Sequence, residues 1–560
     1  MSEVKSMVGS SKTGLVAAPD GLAAEAGASM LRSGGNAVDA AVAAAFAIGV
    51  VEPQMSGLGG ATWIVAALRE QQKVFAIDGP FVAPGNATPD MYTIVRPERD
   101  SRVYEWPAVV GDENILGPKA ACVPGTVAAL CLAQQRLGRL SLKDVLQPAI
   151  RLADDGFDVN WFLSACVVQE ARRLVGDQGF VELFMPEGLP LRWGGVEPGD
   201  RLRQRALATT LEKLGSGGQD AFYRGSIGSS LIDLIQSRGG IMSRDDLSTY
   251  SAQMYEIPKD AEFRDAHIMG GDRTGCPSVV EALNLFELAS QGAKVPDEIA
   301  LAWVRALRYA YVDRLRWFSG GRSSEVPWKT LLSKEYAASL LQAYSAGVEL
   351  PDPAIPDSLR PHGWGQSTGE AARKGCTSHI SVVDRDGNFV SLTQTIVDNF
   401  GARLLDPSTG VILNDAMAHF DPRPGNKNSV GPGVQSLPAV SPMIVSTRAR
   451  GPIAAVGGMG GRKIISSTAQ VIARVVAGAP AQEAIDEPRL DADSVKAYVD
   501  MRWPISVTDT LRAAGFDAVR VRDEPMTFNF ARMGVVTVQP DGSRCGAVDA
   551  IKPGGVASDD

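Results

Sequence analysis

Along its 560 residues the chain changes character once, and sharply, at about residue 376. From about 125 to 339 the pattern is helical, and 351 to 375 is polar, rich in proline and glycine and without periodicity, as a surface linker is. Beyond it, short alternating stretches dominate, at 377 to 383, 389 to 395, 410 to 413, 443 to 446, 453 to 456, 519 to 522 and 533 to 538. Two helical runs, 466 to 477 and 508 to 514, interrupt them. No repeat of 20 to 50 residues is present, so a solenoid or propeller is excluded.

The N-terminal region carries its own punctuation. A helix over 22 to 31 stops at Gly34-Gly35, and Asn36, with Asp39 three residues on, caps a second helix running to about Ile48. After a glycine-rich loop at 55 to 61, the stretches 62 to 68 and 74 to 77 read as a β-hairpin.

Composition removes whole classes of function. Apolar residues make up 45 % and charged residues 21 %, the balance of a globular chain with a large core. With 55 Lys and Arg against 64 Asp and Glu, the net charge of −9 offers no footprint for nucleic acid or anionic lipid. The longest apolar stretch, Ala40 to Val51, is shorter than the roughly 20 residues a membrane helix needs and reads as a buried helix. The first 14 residues lack an apolar signal region, and the six cysteines form no C-x-x-C pair, so we expect a cytoplasmic protein with reduced thiols. The four histidines lack metal-ligand spacing, so we expect neither metal nor cofactor.

The chemistry concentrates in the segment 375 to 395. Asp384 to Asn388 is a turn between two alternating runs, and a loop centred on Asp386 makes positions summing to 772 face each other, Thr377 and Thr395 among them. An ordinary cross-strand threonine pair satisfies that spacing. The Cys376-Thr377 junction next to the linker adds a second reading, in which cleavage exposes Thr377 as a new N-terminus whose α-amino group acts as its base. Cleavage one residue earlier makes Cys376 the nucleophile instead. Downstream, the glycines 457 to 461 lie between a strand and a helical run, where backbone N–H groups can face a developing oxyanion; a phosphate cradle is the competing reading, without a P-loop match.

Here a resemblance becomes specific. The runs 24 to 52, with Gly34-Gly-Asn-Ala-Val-Asp39, then Gly117-Pro118, Val123 to Thr126, Gly218 to Tyr223, Thr377 to Asp384 and Gly460-Gly461 resemble, in order, the γ-glutamyltranspeptidase family of N-terminal nucleophile hydrolases. The resemblance implies an α+β fold, a four-layer αββα sandwich, made as a precursor that cuts itself. Residues 1–376 and 377–560 then become two chains of one interleaved domain, a heterodimer of the protein's own pieces, with further homo-oligomerisation left open. Matched to the family, Thr377 is the nucleophile, Thr395 orients it, Gly460 and Gly461 form the oxyanion hole, and the cut falls between Cys376 and Thr377.

The departures bear on substrate. Where the family's carboxylate-gripping arginine stands, this chain has Pro80, followed by Phe81; the serine pair falls at Pro438 and Ala439, and the amino-group binders at Val397, Ala416 and His419. A glutamyl zwitterion loses its charged contacts here. Arg403 and Arg462 are the candidate replacement cations, and the short loop between Phe420 and Ser441 implies an open pocket. The expectation is hydrolysis of a small-molecule, non-glutamyl amide, as in the family's acylases. Its rivals are γ-glutamyl transfer or an unusual bond cleavage, and an uncleaved relative that only binds small molecules.

Overall fold

Strands Cys376–Val383 and Phe389–Val397 pair antiparallel with Ser378 opposite Gln394 and Val383 opposite Phe389, the register that sums to 772. The computed structural model describes residues 7–95, 106–259, 261–317, 328–345, 376–426, 428–494, 496–550 and 553–560, so the expected linker at 351 to 375 lies outside the described residues. At the Thr377 end the register slips, with Cys376 facing Val397, which places a bulge at Thr377 itself.

This hairpin is the centre of a seven-stranded sheet. Its order is Gly555–Ser558, Leu15–Ala18, the hairpin's two strands, Ala61–Leu68, Lys73–Gly79 and Gln253–Glu256. A second seven-stranded sheet runs Val8–Ser11, Arg544–Val548, Arg532–Val538, Gly451–Met459, Met443–Thr447, Ala266–Gly270 and Glu262–Phe263. Every pairing in both sheets is antiparallel, and both draw strands from either side of residue 376.

Three apolar layers separate four structural ones. Helices Gly21–Arg32, Ala37–Val51, Thr126–Leu137 and Leu142–Asp155 cover the outer face of the first sheet. Helices Cys276–Ala289, Pro296–Trp317, Lys463–Val476 and Ala481–Asp486 cover the second. Between the sheets, Leu15, Val65, Ala67, Ile444, Ala455 and Val536 interdigitate. The result is the four-layer αββα sandwich. Asn36 caps helix Ala37–Val51 as expected, accepting from the Val38 and Asp39 N–H groups while Asp39 accepts from the Asn36 N–H at 2.7 Å. Its alanines let this helix lie fully buried against the hairpin sheet.

Where the sheets come closest, a histidine fills the gap. His379 is fully buried; its Nδ1 shares a hydrogen bond with Thr393 Oγ1 at 2.8 Å and its Nε2 one with Ser381 Oγ at 3.0 Å. Burial lowers its pKa to about 3, so the ring is neutral. On an ideal strand His379 shares a side with Thr377, but the bulge intervenes and its ring packs against Gly457 and Gly534 of the opposite sheet.

Strands Gln253–Glu256, Glu262–Phe263 and Ala266–Gly270 lie inside the stretch whose pattern is helical. Two of them, Gln253–Glu256 and Glu262–Phe263, are edge strands, and all three span only two to five residues, too short for period-two alternation to register.

A Cβ on Gly457 meets the His379 ring at 2.3 Å in a region with no room to shift. Gly457→Ala is therefore expected to destabilise the fold by about 2 kcal/mol, in the range for overpacked cores. Urea denaturation of the variant measures this, and unchanged stability contradicts the close-contact account.

Candidate functional site

The hairpin's bulged end, the strand into the glycine turn and the loop before Met443 converge on a small cleft of about 30 Å³. Thr377 and Thr395 both lie on its wall. The Thr377 hydroxyl donates to the Cys376 carbonyl at 2.7 Å, and the Thr395 hydroxyl donates to the same oxygen. Thr395 Oγ1 also accepts from the Val397 N–H at 2.8 Å, which fixes the direction of its own proton. One peptide carbonyl, that of the Cys376-Thr377 bond, thus receives two hydroxyl donors.

Cys376 also lines the cleft, but its thiol is engaged elsewhere. Its thiol donates to Asn399 Oδ1 at 2.8 Å, and burial raises its pKa well above the ordinary thiol value. It is held as a neutral, buried thiol.

Strand Gly451–Met459 delivers the glycine turn. Gly460 and Gly461 have φ of 134° and 60°, values that side chains rarely adopt. Gly461 is on the cleft wall, while Gly460 packs behind it, where a Cβ would sit 3.1 Å from Ala531 Cα. Helix Lys463–Val476 starts immediately afterwards, three residues before the helical pattern in the sequence begins. A lysine there opposes the helix dipole, and two buried carboxylates compensate: Lys463 pairs with Asp491 and, at 3.1 Å, with Asp493, which also takes Arg462 Nε at 3.2 Å.

The remaining candidates divide. Val397, His419 and Arg462 are on the wall. Phe81 is not: fully buried, it stands edge-on to Trp63 at 6.0 Å and to His419 at 6.2 Å, backing the wall from behind. Ala416 is likewise buried in the single turn Ala416–His419 and does not border the cleft.

Arg403 is corrected outright. It sits in a buried cluster, 3.0 Å from Glu170, 3.5 Å from Asp415 and 3.9 Å from Asp398, and also donates to the Gly401 carbonyl. Burial opposes its charge, but the three carboxylates outweigh that and raise its pKa. The spacing that placed it just past the hairpin could not show three acids closing around it.

Cys376, Trp63, Pro438, Ala439, Val440 and Ile464 complete the wall. Trp63 carries no motif; it reaches the cleft because it pairs with Thr393 across the sheet. The loop 421 to 440 folds down, with Gln435 bridging Val82 and the Ser436 N–H on the Phe81 carbonyl, so the pocket is narrow where its short length implied an open one. Burial, with the nearby Arg314 charge, lowers the His419 pKa to about 4, so this wall residue is neutral at neutral pH.

A four-layer αββα sandwich with a threonine on a central hairpin is the architecture of the N-terminal nucleophile hydrolases. The comparisons agree. The model of the gamma-glutamyltranspeptidase family matches residues 23–558, and the chain belongs to that family. It is 34% identical over 546 residues to the acylase ACY 1 proenzyme of Pseudomonas sp. (strain V22), covering 95% of this chain and 91% of that protein. It is 32% identical over 496 residues to the glutathione hydrolase proenzyme of Escherichia coli (strain K12), covering 85% and 80%. In fold it is similar to cephalosporin acylase from Bacillus halodurans, with a TM-score of 0.81, 24% identity and coverage of 98% and 96%. Family and relatives together make this chain an amidohydrolase of the gamma-glutamyltranspeptidase family.

Removing the Arg403 charge takes from the buried Glu170, Asp398 and Asp415 the cation they share, leaving Glu170 its contact with Arg173 at 3.2 Å. Arg403→Met is expected to cost about 3–5 kcal/mol of folding stability. A urea titration checks it, and a variant of normal stability with impaired substrate binding alone restores Arg403 to the site.

Proposed function

We propose that this protein is a self-processing amidohydrolase that takes a small, non-glutamyl acyl group through an ester on Thr377. The observation that carries the reading is the convergence of the Thr377 and Thr395 hydroxyls on the Cys376 carbonyl at the cleft. That arrangement suits an intramolecular attack. The Thr377 oxygen adds to the Cys376 carbonyl carbon, the peptide C–N bond breaks, and water hydrolyses the ester, leaving Cys376 as a carboxylate and Thr377 with a free amine.

In the processed enzyme the amine takes the hydroxyl proton as Thr377 attacks the substrate amide, then returns it to the leaving amine; water hydrolyses the acyl ester. Gly461 on the wall and Gly460 beside it supply N–H groups suited to the tetrahedral oxyanion. Thr395, its proton directed by the Val397 N–H, orients the nucleophile. The two resulting chains, of 376 residues and the remaining 184, stay together because both sheets are built from both.

The wall supports the substrate class. Trp63, Val397, Pro438, Ala439, Val440 and Ile464 are apolar in contact, His419 is neutral, and Arg462 is already engaged by Asp493. A zwitterionic glutamyl group entering here gives up water for no matching charges, whereas a short apolar acyl group fits. The acylase relative points the same way.

On a denaturing gel the wild type is expected to run as two chains and Thr377→Ala as one uncleaved chain without amidase activity. Among acyl-p-nitroanilides, short apolar acyl groups should exceed γ-glutamyl by about ten-fold or more in kcat/KM. Preference for γ-glutamyl refutes the reading of Pro80, Val397 and Pro438.

The pH profile adds a separate check. A Thr377 α-amine with a pKa near 8 must be unprotonated to act, so kcat/KM is expected to rise with pH through about 8. His419, neutral above about 4, contributes no step between pH 5 and 8. A rate governed by an ionisation near 6.5 contradicts this assignment.

A further inference from the structure

A second and larger cavity, of about 270 Å³, lies against Trp63 but holds neither threonine. Strand register builds it. Trp63 pairs with Asp78, and Asp78 with Gln253, so an indole, a carboxyl and an amide stand in one row across three strands, and all three line the cavity. Pro80, Val82 and Tyr250 form more of its lining.

Asp78 is the anomaly in that row. It is only 4% exposed, and among the described residues its one side-chain hydrogen bond is to the Tyr255 hydroxyl at 3.0 Å. That hydroxyl also reaches Asp272 at 2.8 Å, so its single proton cannot serve both carboxylates at once. Among the described residues Asp78 has no ion pair. Burial raises its pKa to about 7, with Arg273 a weak counterweight.

The other charges do not fill the deficit. Asp246 lines the cavity with its carboxylate committed to the Gly85 and Ser243 N–H groups. Arg273, at the rim, directs Nη1 to Gln253 Oε1 at 2.9 Å. Two acids therefore face one guanidinium, beside the rings of Trp63 and Tyr250. A net negative, aromatic-lined cavity with a buried carboxyl lacking a cation is suited to an ammonium group.

We propose that this cavity is a binding site for a small primary ammonium ion, with Asp78 as its counter-ion and Trp63 and Tyr250 as its aromatic walls. It does not depend on turnover at Thr377. Because Trp63 borders both cavities, an amine held here lies next to the wall of the hydrolytic cleft.

Isothermal titration of the wild-type protein at pH 8 with n-butylammonium chloride, 1-butanol and sodium butyrate tests this, with no amide present. Butylammonium is expected to bind about ten-fold or more tighter than 1-butanol, and butyrate more weakly than either. Asp78→Asn, which keeps an acceptor for Tyr255, should lower butylammonium affinity about ten-fold. Arg273→Gln, at the rim, should raise it about two- to five-fold by removing a like charge. The proposal is overturned if butylammonium binds no tighter than 1-butanol, if butyrate binds best, or if Arg273→Gln weakens the amine. Should Asp78→Asn fail to fold, the ligand series and Arg273→Gln decide the matter alone.

Discussion

The close approach of two sheets over one histidine ring is the constraint on which the rest of this structure depends. His379 occupies the space that the side chains of Gly457 and Gly534 would otherwise take. That contact brings the hairpin carrying Thr377 against the strand that runs into Gly460 and Gly461. Both the nucleophile candidate and the N–H donors sit at the same end of these strands. Their relative position is therefore set by core packing, where a methyl group is felt, rather than by a mobile loop.

Buried charge secures the two sides of the cleft. Behind Cys376, Arg403 is enclosed by Glu170, Asp398 and Asp415; beyond the glycine turn, Arg462 and Lys463 are enclosed by Asp491 and Asp493. Such clusters are weak sources of net stability, since desolvation offsets most of the attraction, but losing one member is costly. Their effect is to hold local geometry where the backbone takes unfavourable conformations, as at Val397 and Arg403. The charged side chains nearest the cleft are mostly committed to one another, which leaves an apolar wall for the substrate.

The register of the hairpin from Ser378 to Val383 was legible from residues alone, because an odd turn centred on Asp386 and period-two alternation leave one pairing, but the slip at Thr377, which takes it out of register with Thr395, was not. The helix cap at Asn36 and the glycine turn were legible for the same local reason. Trp63, Phe81 and Arg403 were not. Trp63 reaches the cleft through its pairing with Thr393, Phe81 is held one layer behind by Trp63 and His419, and Arg403 meets Glu170, 233 positions away, together with Asp398 and Asp415 from its own stretch of chain. The short strands between 253 and 270 were missed because two to five residues carry too little periodicity.

The sequence by itself determined the local devices: which residues turn, cap and alternate, and that Pro80 stands where the resemblance implies an arginine. The tertiary structure alone decided which of these meet. It put a bulge at Thr377, set the His379 ring against Gly457 and Gly534 of the facing sheet, closed the pocket to a narrow cleft, and enclosed Arg403 among buried acids away from it. The physical reason is that burial and contact across layers depend on residues hundreds of positions apart, whereas turns and strand alternation depend on neighbours within a few.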